Sequence, residues 1–159
     1  MNFSLCKFVR ARPNLCDAQK ACANGRKNMT RREVREQLFV LLFQKEFYAD
    51  NEFEEQMDSY FETHDLGEEQ EAVKERLENI CEKLPEIDQQ ISAHSRGWKL
   101  DRIGKEELAI LRLAVYEVVF DEDIPVGVAI NEAVELGKKY GAEGGAAFIN
   151  GMLGNIADE

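Results

Sequence analysis

Histidine, cysteine and proline are all scarce in this chain, and each scarcity excludes something. Only two histidines occur, His64 and His94. Neither has a glutamate three residues before it, so the Glu-x-x-His pattern of di-iron bundles is missing. No His-Glu-x-x-His segment is present to hold zinc. Both histidines fall near predicted helix ends among polar neighbours, where a solvated surface imidazole is the ordinary outcome. The four cysteines are Cys6, Cys16, Cys22 and Cys81, and no two form a CxxC pair. That excludes a zinc ribbon and a dithiol redox motif. With one thiol after residue 22, a disulfide framework has no material in the body, which suits a reducing compartment such as the cytoplasm.

Three prolines are too few for the turns of a β-sandwich, and strand-like alternation is missing. No apolar run approaches the length of a membrane span. Phe3, Leu5, Phe8 and Val9 are interrupted by polar residues, unlike the core of a secretory signal. Gly141, Gly144, Gly145, Gly151 and Gly154 do not spell Gly-x-Gly-x-x-Gly, and Gly137-Lys138 lacks the earlier glycine of a phosphate loop. The carboxylate runs at 52–55 and 68–71 read as solvated helix faces near helix N-termini. No catalytic pair, metal site or cofactor site is therefore expected, and the chain is not read as an enzyme.

What is present fits a helical protein with one core: 159 residues, 44% of them hydrophobic and 32% charged. The net charge of −11 argues against general nucleic-acid binding, because phosphate affinity comes from Lys and Arg. The charge is uneven, however. Residues 1–28 hold six Lys/Arg against one Asp, so the remainder is more acidic than the whole. Any RNA contact in that remainder must rest on a local basic patch. Residues 1–28 show no helical period and read as a disordered basic leader, followed by the domain at 29–159. Met29-Thr30-Arg31-Arg32 reads like a fresh start, so translation is expected to begin naturally at Met29; a basic targeting or RNA-contacting arm is the alternative.

From Thr30 the pattern predicts an all-α fold of about seven helices. Thr30 and Glu33 form a capping box for the first helix, which runs to about residue 48. Asp50-Asn51 is read as a break, and a second helix covers about 53–63. A third runs over about 68–84, and Pro85 opens a fourth that reaches about residue 95. A short connector from Trp98 to Ile103 precedes the most apolar segment, Leu108 to Phe120. That segment is apolar nearly all round, as a central buried helix is. Pro125 opens the sixth helix, Gly141 ends it as a C′ glycine, and a last helix covers about 146–156.

Two polar groups interrupt these apolar helices: Arg112, Tyr116 and Glu117 in the central one, and Asn131-Glu132 in the sixth. A buried Arg and Glu must be paired, so these five are read as a network joining the two helices. Arg31, Arg32 and Arg35 cluster at the N-terminus of the first helix, where the macrodipole disfavours cations. Neutralisation by Glu33 and Glu36 and a grip on phosphates are both open readings of that cluster.

The segments Ile110-Leu111-Arg112-Leu113-Ala114-Val115-Tyr116-Glu117, Ile124-Pro125, 128–136, Lys138-Lys139-Tyr140-Gly141 and 148–153 occur in the order and spacing of one family. They resemble the NusB family of bacterial transcription antitermination factors over about residues 29–156, most closely in the C-terminal third. The resemblance implies a fold of two small helical bundles packed into one unit. It implies binding of the boxA element of ribosomal RNA leaders together with the ribosomal protein NusE, within an antitermination complex on RNA polymerase. Carried over by motif, the RNA-binding positions are Arg31, Arg32, Arg35, Lys138, Gly141, Glu143, Gly144 and Phe148, and the NusE-facing positions are Phe43 and Glu107. Gly144-Gly145 and Ala146-Ala147 depart from a stretch that is often acidic and polar in the family. RNA contacts from that turn are therefore expected from the backbone.

Overall fold

The computed structural model describes residues 28–95, 97 and 99–158. Residues 1–27 of the leader and Trp98 of the connector lie outside the described residues. Six α-helices follow in order: α1 Arg31–Lys45, α2 Asp50–Thr63, α3 Gln70–His94, α4 Lys105–Val119, α5 Val126–Tyr140 and α6 Gly145–Ala157. No strand occurs among the described residues, as the sequence periodicity predicts.

The start of α1 is the one read from sequence. The Thr30 hydroxyl accepts from the Glu33 amide at 3.2 Å, and the Glu33 carboxylate accepts from the Thr30 amide at 2.7 Å. The helix ends earlier than predicted, because residues 46–48 tighten into single turns that bond back three residues. Asp50 opens α2 instead of breaking a helix. Asp50 and Glu52 lie in its first turn, where the macrodipole favours carboxylates, and Lys45 binds Asp50 at 2.7 Å.

The largest difference lies at Pro85. The third and fourth predicted helices are one helix, α3, with Pro85 inside it, so the count is six and not seven. The proline has no N–H for the ladder and disfavours the helix interior. The apolar stripe overrides it: Val73, Leu77, Ile80, Ile87 and Ile91 are all buried, and the spacing stays helical across the proline. Pro85 itself is exposed, so its ring meets no packed neighbour.

The helices share one hydrophobic core to which all six contribute. Helix α4 lies at its centre, with Ala109, Ile110, Leu111 and Val115 fully buried, and packs against α1, α3, α5 and α6. Ile110, Leu111 and Val115 each contribute about 1.5–3 kcal/mol by area. Arg112 extends from α4 to bind Asp88 of α3 at 2.8 and 2.9 Å, and also binds Glu46 just beyond α1. Burial raises the Glu46 carboxyl, but hydrogen bonds from Lys105 and the charge of Arg112 outweigh it and hold the carboxyl below its ordinary value. No helix of the described residues is long and apolar enough to cross a membrane.

Candidate nucleic-acid interface

Side-chain contacts link helices α1 and α5 in the same sense along both. Arg32 faces Glu132, and further along both helices Glu36 faces Lys139. Between them lies a groove of about 370 Å³ lined by Arg32, Arg35, Glu36, Glu132, Glu135, Leu136, Lys138 and Lys139. The Arg-rich start of α1 and the basic end of α5 are thus brought together from 100 residues apart in sequence.

The three arginines of α1 do not share one environment. Arg31 and Arg32 are exposed. Arg32 donates to both oxygens of Glu132, at 3.0 and 2.8 Å, and this holds the Glu132 carboxyl below its ordinary value. Arg35 is only 8% exposed, and its Nε lies 3.0 Å from both oxygens of Glu117. Glu117 is buried as well, and Arg76 of α3 approaches it at 3.5 Å. Arg35 therefore balances a buried carboxylate and is not part of the exposed patch. Spacing in the sequence groups Arg35 with Arg31; what it cannot show is that the core cover begins one turn into the helix.

The remaining groove cations also carry partners. Lys138 binds Glu135 at 2.7 Å, and Lys139 binds Glu36 at 2.7 Å while lying over the Tyr140 ring. Burial lowers the Lys139 ammonium, and the hydrogen bonds and charges of Glu36 and Tyr140 together more than reverse that. These pairs are solvent-exposed on the cation side, so water screens them and a competing anion exchanges for the carboxylate at little cost. The Arg35–Glu117 pair does not offer that exchange.

The predicted joint network of α4 and α5 is not formed as such. Glu117 pairs with Arg35 and Arg76, Arg112 with Asp88 and Glu46, and Glu132 with Arg32. Arg112 and Glu117 are five residues apart, roughly 140° around a helix, so they cannot share a partner. Tyr116 packs beside Phe120 and under the Arg76 guanidinium, and Asn131 is exposed.

At the end of the groove, residues 141–144 turn the chain from α5 into α6. Gly141 ends α5 as predicted, its backbone extended at φ −74° and ψ 166° and not left-handed. Its lack of a side chain has another cause: a Cβ there would stand 2.6 Å from the Gly137 carbonyl oxygen. The left-handed residue is Gly144, at φ 81°. Ala142, Glu143 and Gly144 are exposed. Beyond the turn, Phe148 is half-buried against the core and lines a second groove of about 310 Å³ with His94, Ser95, Ala147, Gly151, Met152 and Asn155.

Phe43 and Glu107, carried over as partner-facing, are each 6% exposed. The exposed aromatic beside them is Phe47, 40% exposed and packed edge-on against Phe43 at 5.2 Å. The Glu46–Lys105 bond at 3.0 Å lies next to it in sequence. Phe47 was missed by sequence reasoning. Its signal was there: it continues the i, i+4 apolar stripe one step past the helix end.

Comparison with known proteins agrees with this architecture. The model of the NusB family matches residues 32–158. The transcription antitermination protein NusB of Lachnoclostridium phytofermentans is 51% identical over 132 residues, spanning 82% of this chain and all of the relative. Among solved structures, T. maritima NusB superimposes with a TM-score of 0.75 at 38% identity, over 84% of this chain and 94% of that one. A chain from a crystal structure of a plectonemic RNA supercoil superimposes with a TM-score of 0.67 at 29% identity, over 80% of this chain and 94% of that one.

Proposed function

This chain belongs to the NusB family of transcription antitermination proteins, and from that premise we propose that it holds boxA RNA across the α1–α5 groove in concert with NusE. The observation that carries the reading is the convergence of Arg32, Lys138 and Lys139 on one groove, with exposed Arg31 next to Arg32 in sequence and the exposed glycine turn following Lys139 and Tyr140. Guanidinium and ammonium groups there hold phosphates by exchanging the carboxylates they now bind. The turn at 141–144 offers backbone groups, and Phe148 offers a ring edge for an unstacked base. The RNA crystal in which a structurally similar chain occurs supports RNA as the ligand class. The cytoplasm, where RNA polymerase transcribes ribosomal RNA, is the compartment this reading requires.

NusE docks, in this reading, on the surface presented by Phe47 and Lys105, with Phe43 supporting Phe47 from below. The complex then joins the elongating polymerase. The two-bundle description of the family fold is compatible with a shared core in which α4 packs against α1, α3, α5 and α6.

A protein-only interaction module is the second reading. It is favoured by the carboxylate partner that each of Arg32, Lys138 and Lys139 carries. Fluorescence anisotropy of labelled boxA RNA, with and without NusE, separates the two. The first reading predicts salt-sensitive binding by the chain alone that tightens at least ten-fold when NusE is added. Binding of NusE without any binding of RNA would establish the second.

A further inference from the structure

We infer that Glu107 is a positioning residue that fixes the 141–145 turn for RNA, an inference that rests on the proposed RNA role of that turn. Glu107 lies in the first turn of α4, yet its carboxylate is not presented to solvent. It is enclosed by three glycines from three places in the chain. A Cβ at Gly104, the N-cap of α4, would overlap Oε2. At Gly145, the first residue of α6, it would stand 2.6 Å from Oε1, and at Gly141 3.2 Å from Oε1. The same Oε1 accepts a hydrogen bond from the Ala142 amide at 2.7 Å.

The arrangement has a physical reason. Helix α6 starts at a left-handed glycine, Gly144, and has no side-chain cap of its own. A carboxylate beside Gly145 meets the positive end of the α6 dipole. One carboxylate from α4 thus holds the Ala142 amide on one side of Glu143 and fills the space over Gly145 on the other, in a turn closed by the Gly145 amide donating to the Ala142 carbonyl at 2.9 Å. Glu143 is the one long side chain among residues 141–145. Contacts of this turn with RNA depend on where its peptide groups point, and Glu107 sets that direction. Sequence alone hides this, because the bond joins residues 35 apart.

The test compares Glu107→Ala, Glu107→Gln, Gly145→Ala and the double variant Glu107→Ala/Gly145→Ala. Amide exchange at Ala142 is read without RNA, and affinities for single-stranded boxA RNA and for NusE are measured separately. Glu107→Ala is expected to speed Ala142 exchange at least ten-fold and to weaken RNA about ten-fold with NusE absent. Glu107→Gln keeps an acceptor oxygen and should stay within about three-fold of the parent for RNA. Gly145→Ala should weaken RNA in the parent and much less in the Glu107→Ala background, where the space has been vacated. Unchanged exchange at Ala142 in Glu107→Ala overturns the positioning role, and so does loss of NusE affinity with RNA affinity intact. A parent chain that binds no RNA overturns the reading of the site, and this role with it, while leaving the exchange result to stand by itself.

Discussion

Replacing Arg35 with methionine is expected to destabilise the fold by about 3–5 kcal/mol, the usual cost of leaving one member of a buried ion pair alone. Methionine keeps most of the side-chain volume, so the loss reads the charge and not a cavity. Arg76, at 3.5 Å from Glu117, compensates in part and places the effect towards the lower end. The loss should depend on pH in a definite sense. Burial already raises the Glu117 carboxyl, with Arg35 opposing that rise by its charge and hydrogen bonds. Without Arg35 the carboxyl rises further. A carboxyl whose folded pKa lies above its unfolded one contributes stability below the unfolded value and loses it as pH rises through the folded value. The deficit of Arg35→Met against the parent should therefore be larger at pH 8 than at pH 5. Urea unfolding at the two pH values measures it. The double variant Arg35→Met/Glu117→Leu should recover much of the loss, since no charge is then left buried.

The second large effect concerns binding. Arg31→Ala, Arg32→Ala and Lys138→Ala combined should weaken boxA RNA binding about 10- to 100-fold near physiological salt, with the folded state intact. Each phosphate neutralised on a single strand adds roughly 0.7 to the slope of log K against log salt. Removing three such cations should therefore flatten that slope by about 2. Arg35 is left out of this set, because its loss acts on folding and would be mistaken for a binding effect. A slope unchanged by the triple replacement would show that these side chains do not meet phosphates.

Most of the fold was legible in the sequence because helical periodicity is local. The Thr30–Glu33 box marks the start of α1, and the apolar segment after Glu107 marks the central helix, α4. Pro85 misled because a proline's local preference for a helix start is weaker than a buried stripe that continues through it. The candidate site was legible in its parts and not in its partnerships. Arg32, Lys138 and Glu132 could be singled out as residues. That Arg32 binds Glu132, or that Arg35 belongs to Glu117, depends on how α1 lies against α4 and α5. The same holds for Phe43 and Glu107. Their chain positions are legible in the sequence and their burial is not: each is 6% exposed, with Phe43 packed against Phe47 and Glu107 bonded to the Ala142 amide.

Photo-crosslinking maps where RNA lies on the molecule. boxA RNA carrying 4-thiouridine would be bound in the presence of NusE, irradiated, and the attached peptides identified by mass spectrometry. Crosslinks are expected in residues 29–36 and 138–148, which border the α1–α5 groove and the glycine turn. Crosslinks confined to the opposite end of α5, around exposed Val126 and Val128, would contradict it.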